Sequence, residues 1–152
     1  MSEPWPDLAG RLVPGGHVLP VRIYFEDTDF SGFVYHGSYV RFMERGRSDF
    51  VRLIGVGHTE LDRGEHGEPL FFAVRHMEID FLKPAGIDDL VEVETLVRDI
   101  GGARLKLRQT IRRAAEVLVE ADVTIVLVSH QGRARRIPDS VRARIEQPAA
   151  LG

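Results

Sequence analysis

The chain contains no cysteine, which excludes disulfides, thiolate zinc ligands and thiol nucleophiles together. Lysine is nearly absent: only Lys83 and Lys106 occur, so arginine supplies almost all of the positive charge. No apolar run approaches the roughly 18 residues that cross a bilayer; the most apolar stretch, Val123 to Ser129, is strand-length. The N-terminus carries acids and prolines where an export signal needs a basic start and an unbroken apolar core, so a soluble, cytoplasmic protein is expected. A formal charge of -3 provides no basic field for a phosphate backbone, and nucleic acid is not an expected partner. There is no GxSxG elbow and no HExxH pair. The six histidines, His17, His36, His58, His66, His76 and His130, show no metal-ligand spacing, so neither a serine hydrolase of the α/β type nor a metal centre is expected.

What is present fits one domain: 152 residues, 43% hydrophobic and 28% charged. Residues 1–20 hold Pro4, Pro6, Pro14, Gly15, Gly16 and Pro20, a density of breakers that predicts an irregular arm. The domain itself is expected over 21–147, with a tail at 148–152. From Val21 the β-branched and aromatic run VRIYFE predicts a short strand ending at the loop DTDFSG. From Ser38 to Ile54, Tyr39, Phe42, Met43, Phe50, Leu53 and Ile54 recur at three- and four-residue steps, the signature of an amphipathic helix. Gly46 falls on its apolar side, where a missing side chain permits close packing, and Gly55 is a C-terminal stop. A polar loop is expected from Gly55 to Pro69.

The remainder alternates like strands, most cleanly where Leu105, Leu107, Gln109 and Ile111 oppose Arg104, Lys106, Arg108 and Thr110. Pro84 to Asp89, Gly101-Gly102 and Ala114-Ala115 separate these strands, lengths that suit hairpins and are too short for parallel crossovers. The expectation is an α+β fold: an antiparallel meander covering one long helix. A short helix from Asp139 to Ile145 is expected after Pro138, with Asp139 as its N-cap.

Chemistry concentrates in RIYFEDTDFSGFVYHGSY. Asp27 and Asp29 lie in the strand-to-helix loop, and His36 stands at the helix entrance, where unpaired N–H groups and a partial positive charge can stabilise an oxyanion. The run Arg22-Ile23, Thr28-Asp29, Gly32, Val34 and His36 resembles the active-site signature of the 4-hydroxybenzoyl-CoA thioesterase family. EDTD…VYH…Y…ERGRSDF resembles its Tol-Pal-associated, YbgC-like acyl-CoA thioesterase branch. That resemblance implies a hotdog fold and hydrolysis of acyl-coenzyme A without a metal or redox cofactor. It places the essential carboxylate at Asp29 and the thioester-polarising amide at His36; Tyr35 is a candidate for substrate binding. It also implies a homodimer, often paired into a tetramer. Asp29 either attacks the carbonyl or activates water.

Competing assignments are weighed on the same residues. Asp27 is expected to order the turn. Glu44 is the alternative carboxylate: a sister branch carries its carboxylate on the helix, and Glu44 lies eight residues past His36, roughly the same face. Its ordinary role is pairing with Arg41, Arg45 or Arg47. An EF-hand fails because its twelfth position is Ser38, and an aspartyl phosphatase conflicts with the antiparallel strands. Arg133, Arg135 and Arg136 are candidates for the phosphates of coenzyme A. The functional alternative is a non-catalytic acyl-CoA sensor or scaffold associated with the envelope machinery.

Overall fold

The computed structural model describes residues 7–57, 61, 63–64 and 67–148. His58, His66, part of the expected 55–69 loop and most of the expected 148–152 tail lie outside the described residues. The elements in chain order are β1 (Arg11–Val13), β2 (Gly16–Arg22), a single 3-10 turn (Phe25–Asp27), α1 (His36–Leu53), β3 (Leu70–Phe81), β4 (Leu90–Ile100), β5 (Arg104–Arg113), β6 (Glu116–Ser129) and α2 (Asp139–Glu146). The six strands form one sheet in the order β1-β2-β4-β5-β6-β3, with every neighbouring pair antiparallel.

Three expectations are corrected, the first being the strand expected over VRIYFE, which ends at Arg22 and gives way to the 3-10 turn at Phe25–Asp27. Residues 11–13 and 16–20, assigned to an irregular arm, are strands. Gly15, at φ +80°, makes the tight turn between them. Pro20 sits inside β2 opposite Glu92, but β1 pairs only as far as Val18. Beyond that point β2 has an open edge, where a missing N–H costs no ladder bond. The last correction concerns residues 82–89, within which Pro84 to Asp89 was expected to close a hairpin. They carry the chain from β3, on the sheet edge, past β6 and β5 to β4. Three interstrand steps are about 14 Å, within reach of eight extended residues, so the sheet is not a simple meander.

The core lies between the sheet and α1. Ser38, Tyr39, Phe42, Met43, Gly46 and Phe50 form the buried face of the helix, and its partners include Val91, Val93, Leu105, Leu107 and Ile111. Phe42 is fully buried; truncating it to alanine would cost about 3–5 kcal/mol. A Cβ on Gly46 would stand 3.0 Å from the Val93 side chain and 3.3 Å from Thr95 Oγ1, so the glycine permits the close approach expected of it. Below it the fully buried Gln109 donates through Nε2 to the Met43 carbonyl (3.0 Å) and to Thr95 Oγ1 (2.9 Å), and accepts from Arg47 (2.9 Å). The helix ends at Leu53, and Gly55, at φ +83°, stands just past its C-cap as the expected stop. α2 begins one residue after Pro138, so Asp139 is its first residue and Pro138 its N-cap.

Candidate active site

Asp27 and Asp29, two residues apart, have opposite environments. Asp27 is 4% exposed. Its carboxylate accepts from the Tyr24 amide (2.9 Å) and lies 3.7 Å from Arg41, while its carbonyl accepts from the Tyr35 amide (2.9 Å) and Ser38 Oγ (3.0 Å). All its polar capacity ties the 3-10 turn to the start of α1. Asp29 is exposed, at the tip of a small hairpin closed by the Thr28–Val34 bridge and by its own amide donating to Phe33 O (3.0 Å). Gly32, at φ +86°, completes the turn and donates to Asp29 O (3.1 Å).

Ser31 holds the Asp29 carboxylate in place: its amide (2.8 Å) and Oγ (2.5 Å) both donate to Oδ1. Oδ2 accepts no hydrogen bond among the described residues. These hydrogen bonds, with a smaller attraction from His36, hold the Asp29 pKa below its ordinary 3.8, so the group is a carboxylate at neutral pH. Sequence reasoning did not single out Ser31, although a serine two residues after an aspartate is a recognisable Asx-turn pattern.

His36 opens α1. Its amide and that of Gly37 belong to the first turn, have no intrahelical partner and meet no acceptor among the described residues. The Tyr35 ring lies against the His36 ring at 4.5 Å between centroids and also covers Gly37, where a Cβ would clash at 2.5 Å. A cavity of about 260 Å³ beside this helix end is lined by Val34, His36, Tyr39, Phe81, Leu82, Lys83 and Pro84. Asp29 thus lies close enough to His36 to feel its charge, Tyr35 stacks on His36, and the hairpin that bears the ionised carboxylate leads directly into the helix N-terminus.

The matched span of one family model, described as "Thioesterase superfamily", runs over residues 31–120. The chain belongs to the thioesterase superfamily. The span begins two residues after Asp29. Acyl-CoA thioester hydrolase YbgC of Escherichia coli O6:H1 is 37% identical over 130 residues, 84% of this chain and 94% of that protein. Acyl-CoA thioesterase YbgC of Haemophilus influenzae is 35% identical, over 77% and 84% of the two chains. The crystal structure of a probable thioesterase from Bartonella henselae superposes with a TM-score of 0.79 at 47% identity, covering 81% of this chain and 99% of that one. The fold of this thioesterase is thus the hotdog: a curved antiparallel sheet around one long helix.

The other candidates lie elsewhere in the thioesterase. Glu44 is exposed and lines a second, apolar cavity of about 420 Å³ with Val40, Arg47, Val51, Val74 and Met77. Its charge acts on the half-buried Arg47, but among the described residues it forms no ion pair within 4 Å. Arg133, Arg135 and Arg136 follow the far end of β6. In the β3–β6 ladder Phe81, beside His36, pairs with Val119, whereas Leu70 pairs with Ser129. The ten-residue offset is about 33 Å along the strand, so one chain does not bring these arginines to Asp29. Arg135 also binds Glu68 (2.5 Å), and Arg136 lies 3.7 Å from Asp139.

Proposed function

We propose that this thioesterase hydrolyses acyl-coenzyme A, converting an acyl thioester and water to a carboxylic acid and coenzyme A, with Asp29 as the reacting carboxylate. One observation carries the reading: Asp29 is exposed, ionised, fixed by Ser31 through a single oxygen and near enough to His36 to feel its charge, on the hairpin that leads into the start of α1. The His36 amide, assisted by that of Gly37, receives the thioester oxygen and the charge that develops on it. Oδ2 of Asp29 then either attacks the carbonyl carbon, giving a mixed anhydride that water opens, or takes a proton from attacking water. In both routes the C–S bond breaks, the thiolate leaves and takes up a proton, and no resident metal or redox group is required.

The acyl chain has a direction available to it. Val40, Glu44 and the 47–48 pair continue the face of α1 that starts at His36, and they wall the larger apolar cavity. In this reading Glu44 borders the acyl group and does not replace Asp29. β3 leaves one long edge strand with Phe71 and Val74 exposed on it, and a second copy pairing there would form a homodimer and cover the cavity.

The test is thiol release across a panel of acyl-CoA thioesters by wild type, Asp29→Asn and Glu44→Gln. Loss in the first variant alone supports the assignment; full activity in Asp29→Asn with loss in Glu44→Gln overturns it. Tight binding with no hydrolysis by wild type would instead favour an acyl-CoA sensor. Single turnover in ¹⁸O-water detects the anhydride route when water opens the anhydride at the Asp29 carboxyl carbon, since only that attack puts label into Asp29.

A further inference from the structure

The hairpin that bears Asp29 has little core of its own. Phe30 and Phe33 are exposed, and only Val34, on its exit arm, is buried. The entry arm is held at Asp27 by Tyr35 and Ser38, both at the start of α1. The exit arm is held by a segment distant in sequence: the Val34 amide donates to Ala85 O (2.9 Å), and Phe33 bridges Gly86. Ala85 is fully buried, and its own amide donates to the phenol oxygen of Tyr39 (2.9 Å). Tyr39 lies three residues beyond His36 on the buried face of α1, with its ring against Phe42 and Phe81. A closed circuit results, running from the helix end through Tyr39, Ala85 and Val34 to the Asp29 turn and back along the chain to His36.

We infer that Tyr39 is a positioning residue for the reaction: its hydroxyl, through the Ala85 amide, fixes the Asp29 hairpin relative to the helix N-terminus that receives the thioester oxygen. The inference rests on Asp29 and the His36 amide acting as proposed above. The physical ground is that two groups acting on one carbonyl must be held to within a fraction of an ångström, and a displacement of about 1 Å can cost about a hundredfold in rate. Asp89, which accepts from the Gly86 amide (2.9 Å) and from Arg113 (2.8 Å), restrains the same segment from its other end. Tyr39 makes the one hydrogen bond that ties it directly to the helix bearing the amide, among the described residues. Burial pushes the phenol pKa up, so the hydroxyl stays neutral and remains a suitable acceptor.

Tyr39→Phe keeps the ring and removes only the acceptor. The expected result is a fall in kcat of about ten- to a hundredfold, KM within about twofold, and faster amide exchange at Ala85 and Val34. Thr95→Val, which disturbs the buried hydrogen bonds under the middle of α1, is the comparison: it should lower Tm and leave kcat unchanged. Unchanged kcat in Tyr39→Phe overturns the inference, as does an equal kcat loss in Thr95→Val. If Tyr39→Phe does not fold, fluorinated tyrosines at position 39 grade the acceptor strength at nearly constant shape. A kcat that falls as the phenol becomes more acidic supports the role, and a flat series overturns it. Asp29→Asn is assayed alongside. Full activity there sinks the proposed reaction, whereas an inactive Asp29→Asn with a fully active Tyr39→Phe sinks only the positioning role.

Discussion

An aspartate and a histidine stand together at each end of α1, and the two pairs differ in almost every physical respect. At the start, Asp29 and His36 are both exposed; they interact through space while Asp29 takes its hydrogen bonds from Ser31. Near the end, His17 of β2 is fully buried and its Nε2 lies 2.7 Å from Asp49 Oδ2. Its ring stacks on Phe50 at 5.9 Å, Arg52 also binds the carboxylate, and Gly10 packs so closely that a Cβ there would collide with Asp49. An ionised carboxylate only accepts, so Nε2 carries the proton, and Nδ1 is a buried lone pair with no donor among the described residues. The same residue types therefore serve opposite ends. The buried pair spends its polarity fastening the first hairpin to the helix, and the exposed pair keeps an oxygen and an amide free.

That contrast can be broken at several points. Asp29→Asn should lower kcat by about 10²- to 10⁴-fold with little change in Tm; steady-state kinetics beside a thermal melt checks both halves. Conversely, His17→Ala should cost about 2–3 kcal/mol of stability through the lost packing and the stranded carboxylate and leave kcat nearly untouched. A large loss of kcat at full folding would show that the buried pair also serves the chemistry. Ser31→Ala, a smaller change, removes the strongest restraint on Asp29. Its pKa should rise toward the ordinary value, moving the acid limb of the kcat/KM profile to higher pH and slowing turnover several-fold, on the order of one lost hydrogen bond. An unmoved limb would mean that Ser31 does not set the charge state.

The smallest effect expected is a pH dependence of stability from His17. Burial lowers its pKa below 6.5, against the opposing hydrogen bond and charge of Asp49. The unfolded chain therefore binds a proton near pH 6.5 while the folded chain does not. The contribution is complete above that pH and is lost as the pH falls below it. Asp49 acts lower: burial raises its pKa, but the hydrogen bonds from Arg52 and His17 outweigh this and hold it below 3.8, so its share is lost only in strong acid. Melting curves taken as the pH is lowered from about 7.5 to about 5.5 should show a Tm decline that His17→Phe flattens. Equal slopes in both proteins would place the titration elsewhere.

Much of the candidate site's local structure was legible because it is built from residues close in sequence. Strand, turn and helix start follow one another within Arg22 to His36, and alternation with a period of two or 3.6 residues marked β3 to β6 and α1. The N-terminal hairpin was obscured by its own prolines and glycines. These read as breakers until β4 supplies the partner for Pro20 and β1 ends where that proline needs an open edge. The path of 82–89 was hidden for a related reason: segment length limits how far the chain can reach and says nothing of which strands lie between. Ser31 could have been found from spacing. Tyr39 could not, since in sequence it is one more apolar residue on a helix face, and only the fold brings Ala85, 46 residues away, to its hydroxyl.

The sequence by itself determined that Asp29 sits on a turn before a helix N-terminus, because short-range backbone and side-chain preferences act within a few residues of one another. The tertiary structure alone decided which distant segment anchors the hairpin that bears Asp29, and where the buried His17–Asp49 pair forms. Burial and hydrogen bonding depend on neighbours 32 to 66 residues away along the chain, and those neighbours are assigned only when the sheet closes around α1.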